Sequence, residues 1–330
     1  MSKEIFGNVN GRYYWIYTIA SEHITARITD LGATLVSLKA FGMDTVISFP
    51  EPQDYIDDTG AFIGAVIVPN ANRTKGASYQ FDGRQWQLEV NENGNNLHSA
   101  IAKGCHRRKW RVAKQSDTSI TLQLRLTDGE LGFPGNRTIE VVYTVRSRHL
   151  TIEYSIVSDK PTVFNPTNHS YFSFNGSESI LDYQLQTSAT RYLPVDREMI
   201  PTGEKRVARG TPFDFQKKKT LGQDIGADDE QLHIARGYDH TFLVRGYDGQ
   251  LRKFVTLEND ELLLTGYTDL PGFQLYTANF LDYKGHKPQS AVCLETHFPP
   301  NCLNEPNFLK PYVPADTLVA YQTIFDFKRK

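Results

Sequence analysis

The 330-residue sequence predicts an all-β fold, a large antiparallel β-sandwich or barrel. Three observations carry the prediction. Apolar and polar residues alternate with a period of two, glycine-containing turn dipeptides separate the alternating runs, and helical periodicity is scarce.

In Ile120-Thr-Leu-Gln-Leu-Arg-Leu-Thr127 the apolar residues Ile120, Leu122, Leu124 and Leu126 alternate with Thr121, Gln123, Arg125 and Thr127. Successive strand side chains point to opposite faces, so this run predicts a strand with one wet and one dry side. The pattern returns from Leu150 to Ile156. Thr138 to Val145, Tyr183 to Thr187, Leu262 to Tyr267, Phe273 to Phe280 and Thr317 to Phe327 are rich in β-branched and aromatic residues, which favour strands. Asp82-Gly83, Asp128-Gly129, Pro134-Gly135, Asn175-Gly176 and Asp248-Gly249 supply the turns. Short helices are expected near Pro50 to Asp58 and Leu221 to Ile225. Length alone favours about two domains. With no fixed-period repeat and no low-complexity linker, residues 1–330 are better read as one large β domain.

Composition excludes several classes. Hydrophobic residues at 39% and charged residues at 22% describe an ordinary globule, not a disordered, collagen-like or coiled-coil chain. The net charge of −2 lacks the basic field that phosphate contacts demand, so no nucleic-acid partner is expected. Cys105, Cys293 and Cys302 are three in number and none stands in a Cys-x-x-Cys spacing, which favours a reducing compartment. The N-terminus lacks the apolar core of a secretion signal. The longest apolar stretch, Ala61 to Val68, falls far short of the ~20 residues that span a bilayer. A cytoplasmic chain without membrane contact is expected, as a monomer or homodimer.

Polar groups standing where strands should pack are the candidates for chemistry. They cluster around Asn72-Arg73, His98, Asn165 to Phe174, Asp239, Gln274 and Ala291 to Pro300. Glu295 lies in a run that reads as strand, with Cys293 and His297 as its period-two neighbours on one face. On that segment alone a solvated carboxylate is the simpler reading. The alternative is a carboxylate facing a cleft, desolvated and therefore a better base near neutrality. His169 is flanked by Phe164, Phe172 and Phe174, with Thr167 and Tyr171 on its own face. Histidines in such company are more often structural than catalytic, yet a pKa of ~6.5 suits a proton donor. The nine histidines show no His-x-His or His-Glu-x-x-His spacing, and no Walker, dinucleotide or Gly-x-Ser-x-Gly pattern is present. No metal site and no cofactor is expected.

Taken in order, these segments resemble the aldose 1-epimerase (galactose mutarotase) family. The resemblance runs from about Ile24 to Phe327: Leu31-Gly-Ala-Thr-Leu, Asn72-Arg73, Asn-Leu-His98, Gly132-Phe-Pro-Gly135-Asn, Asn165-Pro-Thr-Asn-His169-Ser-Tyr171-Phe, Gly237-Tyr-Asp239-His, Gln274-Leu-Tyr-Thr-Ala-Asn-Phe and Leu294-Glu295-Thr. It implies a β-supersandwich with a sugar cleft on one concave face, and cofactor-free interconversion of the α and β anomers of free hexoses such as galactose and glucose. Matched position by position, Glu295 takes the place of the general base and His169 that of the general acid. Asn72, Arg73, His98, Tyr171, Asp239 and Gln274 fall where the family places sugar-contacting groups. The chain departs from the family pattern at Pro69-Asn70, where Gly-Arg is common, and at Ser99-Ala100, where two glycines usually stand. Both departures are expected to alter the rim of the cleft.

Such a reaction opens the pyranose, turns the aldehyde about C1–C2 and recloses on its other face. A base removes the anomeric hydroxyl proton while an acid protonates the departing ring oxygen, and a carboxylate and a protonated histidine on opposite sides of the ring would serve. A non-catalytic sugar-binding sandwich, a mutarotase of phosphorylated hexoses needing basic groups beyond Arg73, and a glycoside hydrolase with Asp239 as second carboxyl group are the competing readings.

Overall fold

A computed structural model describes residues 2–58 and 60–330, and its regular structure is overwhelmingly strand. Three antiparallel sheets carry the architecture. The first is a five-stranded meander of Ser2–Val9, Arg12–Ala20, Ile24–Thr29, Leu35–Ala40 and Met43–Asp44. The second has nine strands, in the spatial order Arg111–Gln115, Ser119–Leu126, Arg137–Arg146, His149–Ser158, Val319–Arg329, Leu262–Thr268, Arg252–Glu258, Gln184–Thr187 and Lys219–Thr220. The third has six, in the order Tyr171–Phe172, Val292–His297, Gly272–Tyr276, Asp239–Leu243, Arg191–Tyr192 and Arg206–Val207.

Local chemistry sets the joints. Asp82 and Gly83 take φ values of 50° and 71° between the paired residues Phe81 and Arg84. Both central residues at positive φ match the twist of a two-residue hairpin, which is why the Asp-Gly pair stands there.

The nine- and six-stranded sheets pack face to face. The large sheet turns Ile139, Val141, Tyr143, Ile152, Tyr154 and Ile156 inward, and the smaller one answers with Phe172, Phe242, Phe273, Leu275, Val292 and Leu294. Phe172 meets Phe325, and Phe254 meets Phe273, each pair across the two sheets with ring centroids 4.9 Å apart. Each such side chain contributes roughly 1.5–3 kcal/mol through burial.

The other face of the six-stranded sheet prepares the site. Strand register puts Tyr171, Cys293, Tyr276 and Asp239 in one row, and Glu295, Gln274 and Thr241 in the next. Seven side chains from four strands thereby become neighbours on one surface.

Most expected strands are present with bounds shifted by a residue or two. The Phe273 to Phe280 run is shorter, since the strand ends at Tyr276. There Ala278 takes a φ of 51°, and the Asn279 side chain folds back to donate to the carbonyls of Ala235 and Tyr238, both at 2.9 Å. The helix expected near Pro50 to Asp58 is Pro52–Asp57, and that at Leu221 to Ile225 is one 3₁₀ turn, Leu221–Gln223. Helix Glu230–Ala235, capped by the Asp229 carboxylate, was outside the expectation, as was the N-terminal meander. In Arg12–Ala20 aromatic and aliphatic residues occupy both faces, which blurs the alternation.

Candidate active site

A cleft of about 430 Å³ opens over the polar face of the six-stranded sheet, and Asn72, Arg73, His98, His169, Tyr171, Asp239 and Glu295 all line it. Seven of the eight residues singled out from sequence thus meet in one place. Gln274 is the exception. It lies beneath Asp239, donating from Nε2 to Asp239 Oδ1 at 2.6 Å, while its Oε1 accepts from Thr241 Oγ1 at 2.5 Å.

Glu295 is 2% exposed, so the solvated reading of its strand does not hold. Leu294 and Val292 fill one side of that strand with core, leaving the opposite side to the cleft. Glu295 Oε2 accepts no hydrogen bond and stands 3.6 Å from His169 Nε2. Burial pushes the carboxyl well above its usual range, Asp239 adds to the effect and Arg73 opposes it.

The His169 ring stacks on Tyr171 with centroids 5.0 Å apart, and Phe62 lies over it at 6.1 Å. Its backbone N–H donates to Ala65 O and its carbonyl accepts from Gly64, both at 2.9 Å. Burial holds its pKa down to about 3. The ion-pair distance to Glu295 and the two shifts pull in opposite directions. Burial decides, because it outweighs the opposing effect of Arg73 on Glu295 and of the backbone hydrogen bond on His169. Both shifts favour the uncharged form of each group. The two groups stand side by side rather than across a ring.

Arg73 reaches the cleft from the short strand Arg73–Thr74, which pairs with Asn96–Leu97. Glu92 takes its guanidinium in a two-pronged grip, with Nε at 2.6 Å and Nη2 at 2.9 Å. Burial would depress the arginine, but Asp239 and Glu92 outweigh it and hold the guanidinium firmly charged. Asp239 moves upward through burial, with Arg73 and the Gln274 amide restraining it.

Asn72 and His98 interlock. Both take positive φ, 61° and 54°, and His98 Nδ1 accepts from the Asn72 backbone N–H at 3.1 Å. The neutral His98 ring therefore carries its proton on Nε2 and offers a donor to the cleft. Burial, with His169 next in effect, drives His98 well below its ordinary pKa. His98, His169 and Glu295 place donor atoms within 4.8 Å of one another, the spacing of a metal site. The fit is poor: ligation through His98 Nε2 would move its proton to Nδ1, against the Asn72 N–H. Tyr171 directs its hydroxyl away, donating to Ala61 O at 2.8 Å, and offers the cleft its ring.

The two departures from the family pattern meet each other. Asn70 N donates to Ser99 Oγ at 2.9 Å, and that hydroxyl donates back to Asn70 O at 2.8 Å. Asn70, Ser99 and Ala100 are buried and do not line the cleft, so the expected change at the rim is instead a brace behind the Asn72–His98 floor. The cleft also gathers Glu92, Met199, Tyr276 and Phe280, which sequence reading did not single out. Tyr276 shares the period-two face of Gln274 and was within reach; Glu92 sits in a polar turn that carries no periodic signal.

A family model described as aldose 1-epimerase matches residues 16–318. The chain belongs to the aldose 1-epimerase family. An aldose 1-epimerase of Escherichia coli K12 is 33% identical over 337 aligned positions, covering 96% of each chain. The galactose mutarotase of Sus scrofa is 33% identical, covering 89% of this chain and 90% of its own. Among solved structures, a galactose 1-epimerase from Lactobacillus acidophilus superposes with a TM-score of 0.87 at 25% identity, covering 99% of this chain and 98% of that one. The antiparallel sandwich is thus the family fold, and the chain is an enzyme of the epimerase class acting on a small sugar. Among the described residues no helix is long and apolar enough to cross a membrane.

Proposed function

We propose that the enzyme interconverts the α and β anomers of free, uncharged hexoses such as galactose and glucose, with Glu295 as general base and His169 as general acid. The single observation carrying this reading is the Glu295–His169 pair: an unpartnered buried carboxylate oxygen 3.6 Å from an imidazole nitrogen in a sugar-sized cleft. Opening proceeds from the charge-separated form, His169 protonated and Glu295 ionised, reached by proton transfer across the 3.6 Å between them. Glu295 takes the anomeric hydroxyl proton as His169 delivers its own to the ring oxygen, the C1–O5 bond breaks, and C1 becomes the aldehyde. The pair is then uncharged, which is the state burial favours, so desolvation supports the open-chain complex. Rotation about C1–C2 and the reverse transfers close the other anomer.

Arg73, His98 and Asn72 supply donors and Asp239 an acceptor for sugar oxygens. Gln274 contributes by holding Asp239, and Tyr171 by backing His169 and presenting an apolar face. Arg73 is the one cation among the described lining residues, against Glu92, Asp239 and Glu295, which supports neutral over phosphorylated hexoses. The name of the Sus scrofa relative supports galactose among them. We further read residues 1–330 as one cytoplasmic domain, because one apolar core draws on all three large sheets and the three cysteines are free and buried.

Polarimetry on freshly dissolved α-D-galactose, α-D-glucose and a hexose 6-phosphate tests the reading. Accelerated decay is expected for the two neutral sugars and little for the phosphate ester. Uncatalysed decay of both neutral sugars would sink it.

A further inference from the structure

The Glu92–Arg73 pair carries an inference about selectivity. Glu92 opens a two-residue turn in which Asn93 and Gly94 take φ values of 48° and 86°, and its backbone N–H and carbonyl both bond to Asn95, at 3.2 and 2.7 Å. Its carboxylate is thereby held in place to grip Arg73 through Nε and Nη2. The Arg73 side chain is 12% exposed and that of Glu92 25%, so the pair is substantially shielded from solvent at the wall of the cleft.

The Nε–Nη2 edge of arginine is one of the edges that matches a carboxylate with two parallel hydrogen bonds. Glu92 occupies it. Three of the five guanidinium N–H groups remain for sugar oxygens. Glu92 also cancels the charge that would draw an anion into a cleft already holding Asp239 and Glu295. We propose that Glu92 is a specificity-determining residue: by occupying the Nε–Nη2 edge of Arg73 and cancelling its charge it makes the cleft select uncharged aldoses and reject sugar acids.

The proposal rests on the mutarotase reading, and one experiment separates the two. Mutarotation of freshly dissolved α-D-galactose and of neutralised α-D-galacturonic acid is followed by polarimetry for the wild type, Glu92→Ala and Glu92→Gln. In the wild type the uronate is expected to have a kcat/KM at least about 10²-fold below that of galactose, the cost of meeting a taken arginine edge and unpaired like charge. In Glu92→Ala, galactose is expected to lose about tenfold, mainly in KM, as Arg73 loses its anchor. The uronate is expected to hold or gain, so the ratio between the sugars narrows tenfold or more. Added salt should shrink the uronate's gain. Glu92→Gln keeps the side chain's shape and removes its charge; it should narrow the ratio less, and it supplies the test if the alanine variant fails to fold. A ratio unchanged in both variants, with the two sugars falling together, would make Glu92 merely structural and overturn the proposal. Wild-type protein inactive on galactose would instead overturn the reading beneath it.

Discussion

Two strands show how differently this chain uses burial. Arg137–Arg146, in the nine-stranded sheet, alternates between buried residues and half-buried or exposed ones, with Ile139, Val141 and Tyr143 facing the core. Val292–His297, in the six-stranded sheet, is buried at every position. Its one face is core, through Val292 and Leu294, and the other carries Cys293, Glu295 and His297 beneath the cleft. In the first strand burial serves stability. In the second it holds a carboxyl away from water, which costs stability and raises its pKa.

The largest effect expected is loss of turnover at the second strand. Glu295→Gln and His169→Asn each remove one proton-transfer partner and should lower kcat by ~10²–10⁴-fold, while circular dichroism shows a folded chain. Near-wild-type polarimetric rates in either variant would break the comparison at its centre, because the buried polar face would then be structural.

The fold class was legible because the large sheet has a wet face, and alternation is visible only where one face is wet. The sequence Ile120 to Thr127 shows this directly. The N-terminal meander was missed where aromatics line both sides of Arg12–Ala20. At the site, local reading of Glu295 favoured solvent, since a single strand does not reveal that a second layer covers its polar face. The ordered motifs corrected that for Glu295 and brought in Arg73, Asp239 and His98. They set Gln274 among the sugar-contacting groups, where the structure has its amide bonded to Asp239 and Thr241, and they put the Asn70 and Ser99 departures at the rim, whereas these bond one another behind the cleft. Glu92 was silent because its meaning lies in a contact with Arg73, 19 positions away, that no periodicity encodes.

A core substitution in the large sheet gives the converse of the catalytic variants. Ile152→Ala removes a fully buried side chain and should destabilise by about 2–5 kcal/mol in denaturant titration, with kcat retained at temperatures where the variant stays folded. A loss of turnover without loss of stability would show that the two sheets are not separable in function.

Stability against pH sharpens the contrast further. The carboxyl of Glu295 has a raised folded pKa, so its favourable contribution is complete below its ordinary value and is lost as pH rises through the folded one. Glu295→Gln should therefore melt above the wild type at pH 8, and the difference should vanish below about pH 4. The buried histidines act in the opposite sense. His106, His169 and His240 are held down to about 3 and His297 to about 4, so their neutral rings stabilise fully above pH ~6.5. That contribution is lost as pH falls towards those values, and both proteins should lose Tm steeply below pH 6. Calorimetric scans between pH 4 and 8 check both signs; parallel curves for the two proteins would mean that Glu295 ionises freely in the fold.

The smallest effect belongs to the wet face of the large sheet. Glu153 follows Ile152 on the strand His149–Ser158, pairs in register with Val142 and Gln322, and is exposed. Its charge is solvated before and after folding, so Glu153→Gln should change stability by no more than about 0.5 kcal/mol and leave kcat and KM unaltered. The same chemical change is thus expected to lower turnover steeply at position 295 and to do little at 153, because only the first carboxyl is desolvated. A stability loss above about 1 kcal/mol at position 153 would mean that a further layer covers this face, and the contrast between a one-sided and a two-sided sheet would have to be redrawn.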